Sequence, residues 1–214
     1  MKQYNVISIG DHCAIPMLLK ELNIRNCSYP FDWISNANEL YETNIMHNVE
    51  LITELTSNKQ NCEIIVNKFL GDALHKENKI NSKTNIWFPH ESGTEQEIIQ
   101  KYIRRFNRLH NDLYKPTVFI ILTRHYYISE DIFQNITNQL LKYNTDSVIY
   151  FISGCDHNYF NNTNLKNPRV IFKHIPYDIS QFYNYDYTNF RPAIKKYLQE
   201  IFYITSNQTL DYHE

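Results

Sequence analysis

The sequence predicts an α/β protein with a mostly parallel, Rossmann-like sheet covered by helices on both faces, built as one domain over residues 1–214. Three observations carry this. Residues 118–122 and 148–152 are unbroken apolar runs of strand length, the kind found in strands buried on both faces. Amphipathic stripes at helical spacing alternate with them. A chain of 214 residues that is 43% hydrophobic can bury one substantial core but is short for two.

Residues 4–9 read as a first strand ending at Gly10, and an apolar-periodic segment through Met17, Leu18 and Leu19 follows almost at once. This is a strand, tight turn and helix. Pro16 suits only the first turn of that helix, where its missing N–H costs nothing, so Cys13 belongs at or just before the helix N-terminus. Leu40, Ile45, Val49, Ile52 and Leu55 recur at helical spacing and predict one or two helices over 36–56. Ile64, Ile65 and Val66 read as a short strand, and 76–85 as an exposed polar loop.

Thr94 and Glu97 have the form of a capping box, ahead of a helical stripe of Ile98, Ile99, Tyr102, Ile103, Phe106, Leu109 and Leu113. Lys115 and Pro116 stop that helix before the strand at 118–122. A further helix starts near Ser129, with Glu130 and Asp131 at its positive end, and runs to about residue 143. Strands at 148–152 and 170–172 follow, then an Asn-rich loop between them at 158–167 and a closing helix over 191–203.

A net charge of −2, with 21% charged residues, provides no basic field for nucleic acid or an anionic membrane, and neither is expected as a partner. No stretch approaches the roughly 20 apolar residues that span a bilayer, and the N-terminus lacks a signal-peptide core. A cytoplasmic location is expected, in the host cytoplasm if the source is a virus. The abundance of Asn, Ile, Lys and Tyr is what an AT-rich genome produces, viral or low-GC bacterial. Cys13, Cys27, Cys62 and Cys155 are widely spaced without a C-x-x-C pair, so four thiols are expected and no zinc ribbon.

In parallel sheets, ligands gather beyond the carboxyl ends of the strands. Here those ends carry Asp11, His12 and Cys13, then His125 after Arg124, then Asp156 and His157 after Cys155, and finally His174. A cysteine at a helix N-terminus meets unpaired N–H groups and the positive end of the dipole, which favour thiolate, the form that attacks carbonyls. The same position also suits a small apolar side chain buried at a turn. A metal site drawn from His12, His125, Asp156, His157 and His174 is conceivable, but no pair has helical His-x-x-x-His spacing, and no metal or cofactor is expected.

The segment Ser28, Tyr29, Pro30, Phe31, Asp32 and Trp33 reads as a loop that plugs a core edge, with Asp32 capping a turn. Alternatively, Asp32 orients a histidine and Trp33 walls a pocket. Arg104, Arg105 and Arg108 form a solvated face, unless Arg104 turns inward, where Asp32 would be a partner or an anionic ligand its target.

The run from Ile7 through Gly10 to Cys13, followed by Leu18, Leu19, Ile24, Arg25 and then Ser28 to Ile34 with its Pro-Phe-Asp-Trp core, resembles an uncharacterised family named for papain-like cysteine peptidases. Phe88, Pro89 and His90, and the later Tyr102 to Phe106, are similar to further motifs of that family in the same order. The resemblance covers about the first half of the chain. It implies a Cys/His thiol enzyme with Cys13 as nucleophile and His90 as base. Asp32 is then our choice for the orienting acid, and His125 is the reserve base.

The expected function is therefore a thiol-dependent hydrolase or acyltransferase acting on a small molecule or peptide, with Asp11, His12, Trp33, Arg104, Asp156 and His157 as candidate ligand contacts. Two rivals stand beside it. One is a sugar- or nucleotide-binding transferase-like protein, although no glycine-rich phosphate loop is present. The other is a non-enzymatic interaction protein using the tyrosine-rich stretch 177–187. Oligomeric state is left open.

Overall fold

The computed structural model describes residues 4–10, 12–36, 41–57, 62–124, 127–155, 167–176 and 190–202. Strand β1 (Asn5–Gly10) leads into helix α1 (Ala14–Glu21), a 3-10 turn (Pro30–Trp33) and the two-residue strand β2 (Ser35–Asn36). Helices α2 (Tyr41–Ser57) and α3 (Cys62–Leu70), a 3-10 turn at Ala73–His75 and strand β3 (Ile86–Trp87) precede helix α4 (Glu95–Leu113). Then come β4 (Thr117–Thr123), α5 (Glu130–Leu141), β5 (Val148–Ser153), β6 (Val170–His174) and α6 (Phe190–Ile201).

The four long strands form one all-parallel sheet in the order β1-β4-β5-β6. Alternation along β4 shows why both faces must be covered. Phe119 and Ile121 join Ile7, Ile9, Ile149 and Phe151 in a core closed by α2, α3, α4 and α5. Val118, Ile120 and Leu122 join Ile152 in a second core closed by α1 and α6. Every residue of β4 is buried, as a strand enclosed on both faces requires. The likeness to doubly wound folds extends to the parallel strands and the two helical layers. Across the described strands the order itself runs one way without reversal.

Helix α4 begins at the Thr94 capping box as expected: the Thr94 Oγ1 accepts from the Glu97 N–H at 3.3 Å, and the Thr94 N–H donates to Glu97 Oε2 at 2.7 Å. Two local expectations need correction. Ile64, Ile65 and Val66 lie in helix α3, not in a strand. The buried set Ile65, Val66, Phe69 and Leu70 has helical spacing, and that amphipathic fit outweighs the β-branched run. The loop at 76–85 is not wholly exposed: Asn81 is buried, donating to the Phe69 carbonyl at 3.1 Å, and Ile80 bridges to Trp87. The antiparallel pair of β2 with β3 had no sequence signal, because two residues are too few to show a period.

Phe69 is the hub beneath this small sheet. Its ring lies 5.6 Å from Phe31, 5.3 Å from Phe88, 5.5 Å from Tyr102 and 5.4 Å from Phe106, mostly edge to face. Truncating it to alanine leaves a cavity among four rings, and Phe69→Ala is expected to cost about 3–5 kcal/mol in chemical denaturation. Ile64→Ala, at a position 55% exposed on the same helix, should stay within about 0.5 kcal/mol. Equal losses at the two positions would contradict the helical packing of α3.

Candidate functional site

The site begins where β1 stops. Gly10 pairs with Leu122, and a Cβ at Gly10 would sit 2.9 Å from the Leu122 carbonyl oxygen, so only glycine lets the strand finish against β4. Cys13 then takes the N-cap position of α1, its carbonyl accepting from the Met17 N–H at 3.2 Å. Pro16 is the third helical residue, inside the first turn, where no intrahelical donor is needed. The strand, turn and helix reading of this segment agrees with the structure.

The Cys13 Sγ lies 3.6 Å from His90 Nε2 and 4.0 Å from His12 Nδ1. Cys13 is 6% exposed, whereas His90 is a surface residue. The thiol therefore lies beneath an imidazole at the protein surface, contributed from 77 residues away. His90 occupies the third position of a tight turn closed by the Glu91 N–H donating to the Phe88 carbonyl at 3.3 Å, with Pro89 at the second position, where its fixed φ is favoured. Trp33 stands edge to face with the His90 ring, centroids 5.7 Å apart.

His12 is held differently. Its Nδ1 accepts the Ala14 N–H at 3.1 Å, which places the ring proton on Nε2 when the ring is neutral. Burial, with the charge of the buried Arg124 and then that of His90 adding to it, pushes its pKa down to about 3. At neutral pH this ring is uncharged.

Asp32, 2% exposed, accepts from Ser8 Oγ at 2.7 Å and from the Tyr29 N–H at 2.7 Å, and pairs with Arg25 at 2.8 Å. Burial pushes its carboxyl pKa up, against the opposing pull of Arg25 and the two hydrogen bonds. Arg25 also donates to the Cys27 carbonyl at 2.8 Å and to Ser28 Oγ, and its guanidinium lies 5.0 Å over Trp33. Asp32 thus reaches His90 through Arg25 and Trp33, and its own bonds go elsewhere.

Arg104 is exposed, and the partner expected for it at Asp32 is Arg25 instead. Arg105 and Arg108 are the arginines turned inward: Arg105 pairs with Glu91 at 3.2 Å, and Arg108 donates to the Ser28 carbonyl at 2.6 Å. Of the three arginines expected on a solvated face, Arg104 is exposed as that reading requires, while Arg105 and Arg108 are half-buried and paired. Sequence reasoning named Arg25 only as part of the family motif, without a role, and missed Glu91. For Glu91 a signal existed, since an acid beside a candidate base is worth pairing with the nearby arginines. Asp11, His125, Asp156, His157 and the stretch 177–187 lie outside the described residues. His174 ends β6 in register with Ser153. Among the described residues no group of three or more His, Cys, Asp or Glu side chains could hold a metal ion, and no helix is long and apolar enough to cross a membrane. All four cysteines are unbridged.

Fold and site together define a parallel α/β protein whose edge strand delivers a cysteine to a histidine from a distant turn. The chain matches, over residues 4–152, the family model described as "putative papain-like cysteine peptidase (DUF1796)", and it belongs to that family, whose description is that of a hydrolase. The matched span takes in Cys13, Asp32, Trp33 and His90. No curated protein and no solved structure matches the chain.

The depressed pKa of His12 makes stability depend on pH. In the unfolded chain the ring protonates near its ordinary 6.5, in the fold only near 3, so between these values the unfolded state binds the extra proton. His12 thus costs nothing above that window and destabilises the fold as pH falls through it. His12→Asn keeps an acceptor for the Ala14 N–H without the titration. Its melting temperature should fall less steeply than that of the native protein across this window, and parallel curves would contradict the buried neutral ring.

Proposed function

We propose that the protein is a thiol-dependent hydrolase or acyltransferase in which Cys13 attacks the carbonyl of an amide, ester or thioester and His90 is its base. The observation that carries this reading is the 3.6 Å approach of Sγ to Nε2 between side chains 77 residues apart. At that separation sulfur and nitrogen are already within hydrogen-bonding reach, and such contacts tighten on substrate binding. The strand, sharp turn and helix that present Cys13 are also the arrangement that presents nucleophiles in α/β hydrolases.

The two imidazoles beside Cys13 have different roles. His12 Nδ1 is occupied by the Ala14 N–H and its ring resists protonation, which unsuits it as a base. His90 has solvent access and a nitrogen directed at the sulfur, so it takes the thiol proton. The N-terminus of α1 favours the resulting thiolate. Sulfur then bonds to the carbonyl carbon, and the leaving group departs with the proton returned by His90. Water or an amine next attacks the acyl-enzyme, gives a proton to His90 and frees the sulfur. Water makes the protein a hydrolase, an amine an acyltransferase. Asp32 supports His90 at one remove, through Arg25 and Trp33. Cytoplasmic reducing conditions suit this chemistry, because an oxidised Cys13 could not attack.

Iodoacetamide labelling, resolved by mass spectrometry to each cysteine, tests the reading. At neutral pH Cys13 should alkylate at least about tenfold faster than a free thiol, and His90→Ala should remove that advantage. His12→Asn should leave most of it. A Cys13 that alkylates no faster than a small free thiol, and that ignores the loss of His90, would overturn the mechanism.

A further inference from the structure

The turn that carries His90 is pinned at both ends by buried side chains. On one side Phe88 is sealed in the aromatic core, its ring 5.3 Å from Phe69 and 5.9 Å from Tyr102. On the other, Glu91 turns inward with only 2% of its side chain exposed. Its Oε2 pairs with Lys101 at 2.5 Å, while its Oε1 accepts from the Tyr102 hydroxyl at 3.1 Å and pairs with Arg105 at 3.2 Å. Its carbonyl accepts from Lys79 Nζ. Tyr102 therefore grips both ends of the turn, by its ring at Phe88 and by its hydroxyl at Glu91, and Arg105 lies 4.9 Å over that same ring.

A buried carboxylate is a poor device for stability alone. Its desolvation offsets much of what the ion pairs return, and apolar replacements of buried pairs are often as stable. What it supplies is direction, since three donors from consecutive turns of one helix accept only one placement of the carboxylate. We propose that Glu91 is the positioning residue of the catalytic base: held by Lys101, Tyr102 and Arg105 of α4, it fixes the backbone of the turn so that the His90 ring faces Cys13. This rests on the thiol mechanism proposed above. It also accounts for the motif at 102–106, in which Tyr102 and Arg105 face Glu91 while Arg104 faces solvent.

Burial raises the Glu91 pKa, but the bonds and charges of Lys101 and Arg105 outweigh it, so the carboxyl lies below its ordinary range and stays ionised at neutral pH. The anchor is therefore permanent in neutral solution.

The test combines the His90 ring signals in NMR with site-resolved alkylation of Cys13. In Glu91→Ala the ring signals should collapse toward those of a freely rotating surface histidine, and Cys13 alkylation at neutral pH should slow about tenfold or more. Glu91→Gln, which keeps an acceptor for Tyr102, should recover part of both. The double variant Glu91→Ala with His90→Ala should be no slower than His90→Ala alone, because both changes remove one function. Tyr102→Phe removes a single donor at constant shape and gives the same readouts in milder form should Glu91→Ala fail to fold. Unchanged His90 signals in these folded variants would overturn the positioning role, as would rate losses that simply multiply in the double variant. Failure of the thiol mechanism reads differently: alkylation would ignore His90→Ala while the NMR signals still responded to Glu91.

Discussion

The buried carboxylate of Asp32 is the constraint on which the site's half of the molecule depends. It takes a hydrogen bond from Ser8 in the middle of β1, another from the Tyr29 N–H at the start of the 3-10 turn, and an ion pair from Arg25 beyond α1. One side chain thereby joins the edge strand of the sheet to the loop that wraps α1. Stripping a partner from such a buried pair costs about 3–5 kcal/mol in general, because the remaining charge is left without solvent. That penalty locks the loop: Arg25 cannot leave Asp32, so its guanidinium stays over Trp33, and Trp33 stays beside His90.

The site is then the meeting of two separately stabilised pieces. One is the β1 to α1 turn, shaped by the close approach at Gly10 and by the helix start at Cys13. The other is the turn from Phe88 to Glu91, hung between an aromatic cluster and the cations of α4. The polar groups at the contact are also sorted by environment, with His12 kept neutral by burial and by Arg124, and His90 left at the surface. Two identical ring types so meet different surroundings.

Much of this was legible in the chain, and the legible part was local. The strand ends, the Thr94 capping box, the long stripe of α4 and the placement of Cys13 at a helix start all follow from spacing within a dozen residues. Where two local signals conflicted, the reading failed: the β-branched run at Ile64 to Val66 suggested a strand, and only the partners waiting for Phe69 and Leu70 make it a helix. The arginines of α4 are legible as a cluster on one helix, but a stripe boundary cannot tell whether Arg104 or Arg105 turns inward without the buried acid that selects between them.

The sequence by itself determined the elements, the alternation that makes the sheet parallel and buried, and the helix terminus under Cys13, because each depends on hydrophobic period, caps and turn residues close together in the chain. Tertiary structure decided the partnerships that spacing does not show: His90 with Cys13, which the family resemblance alone had paired, Arg25 with Asp32, and Glu91 with Arg105. Those are contacts across 77, 7 and 14 residues. Even the shortest is set by how a loop folds back on a buried charge, so the energies that choose the partners come from desolvation and packing, which exist only once the core has closed.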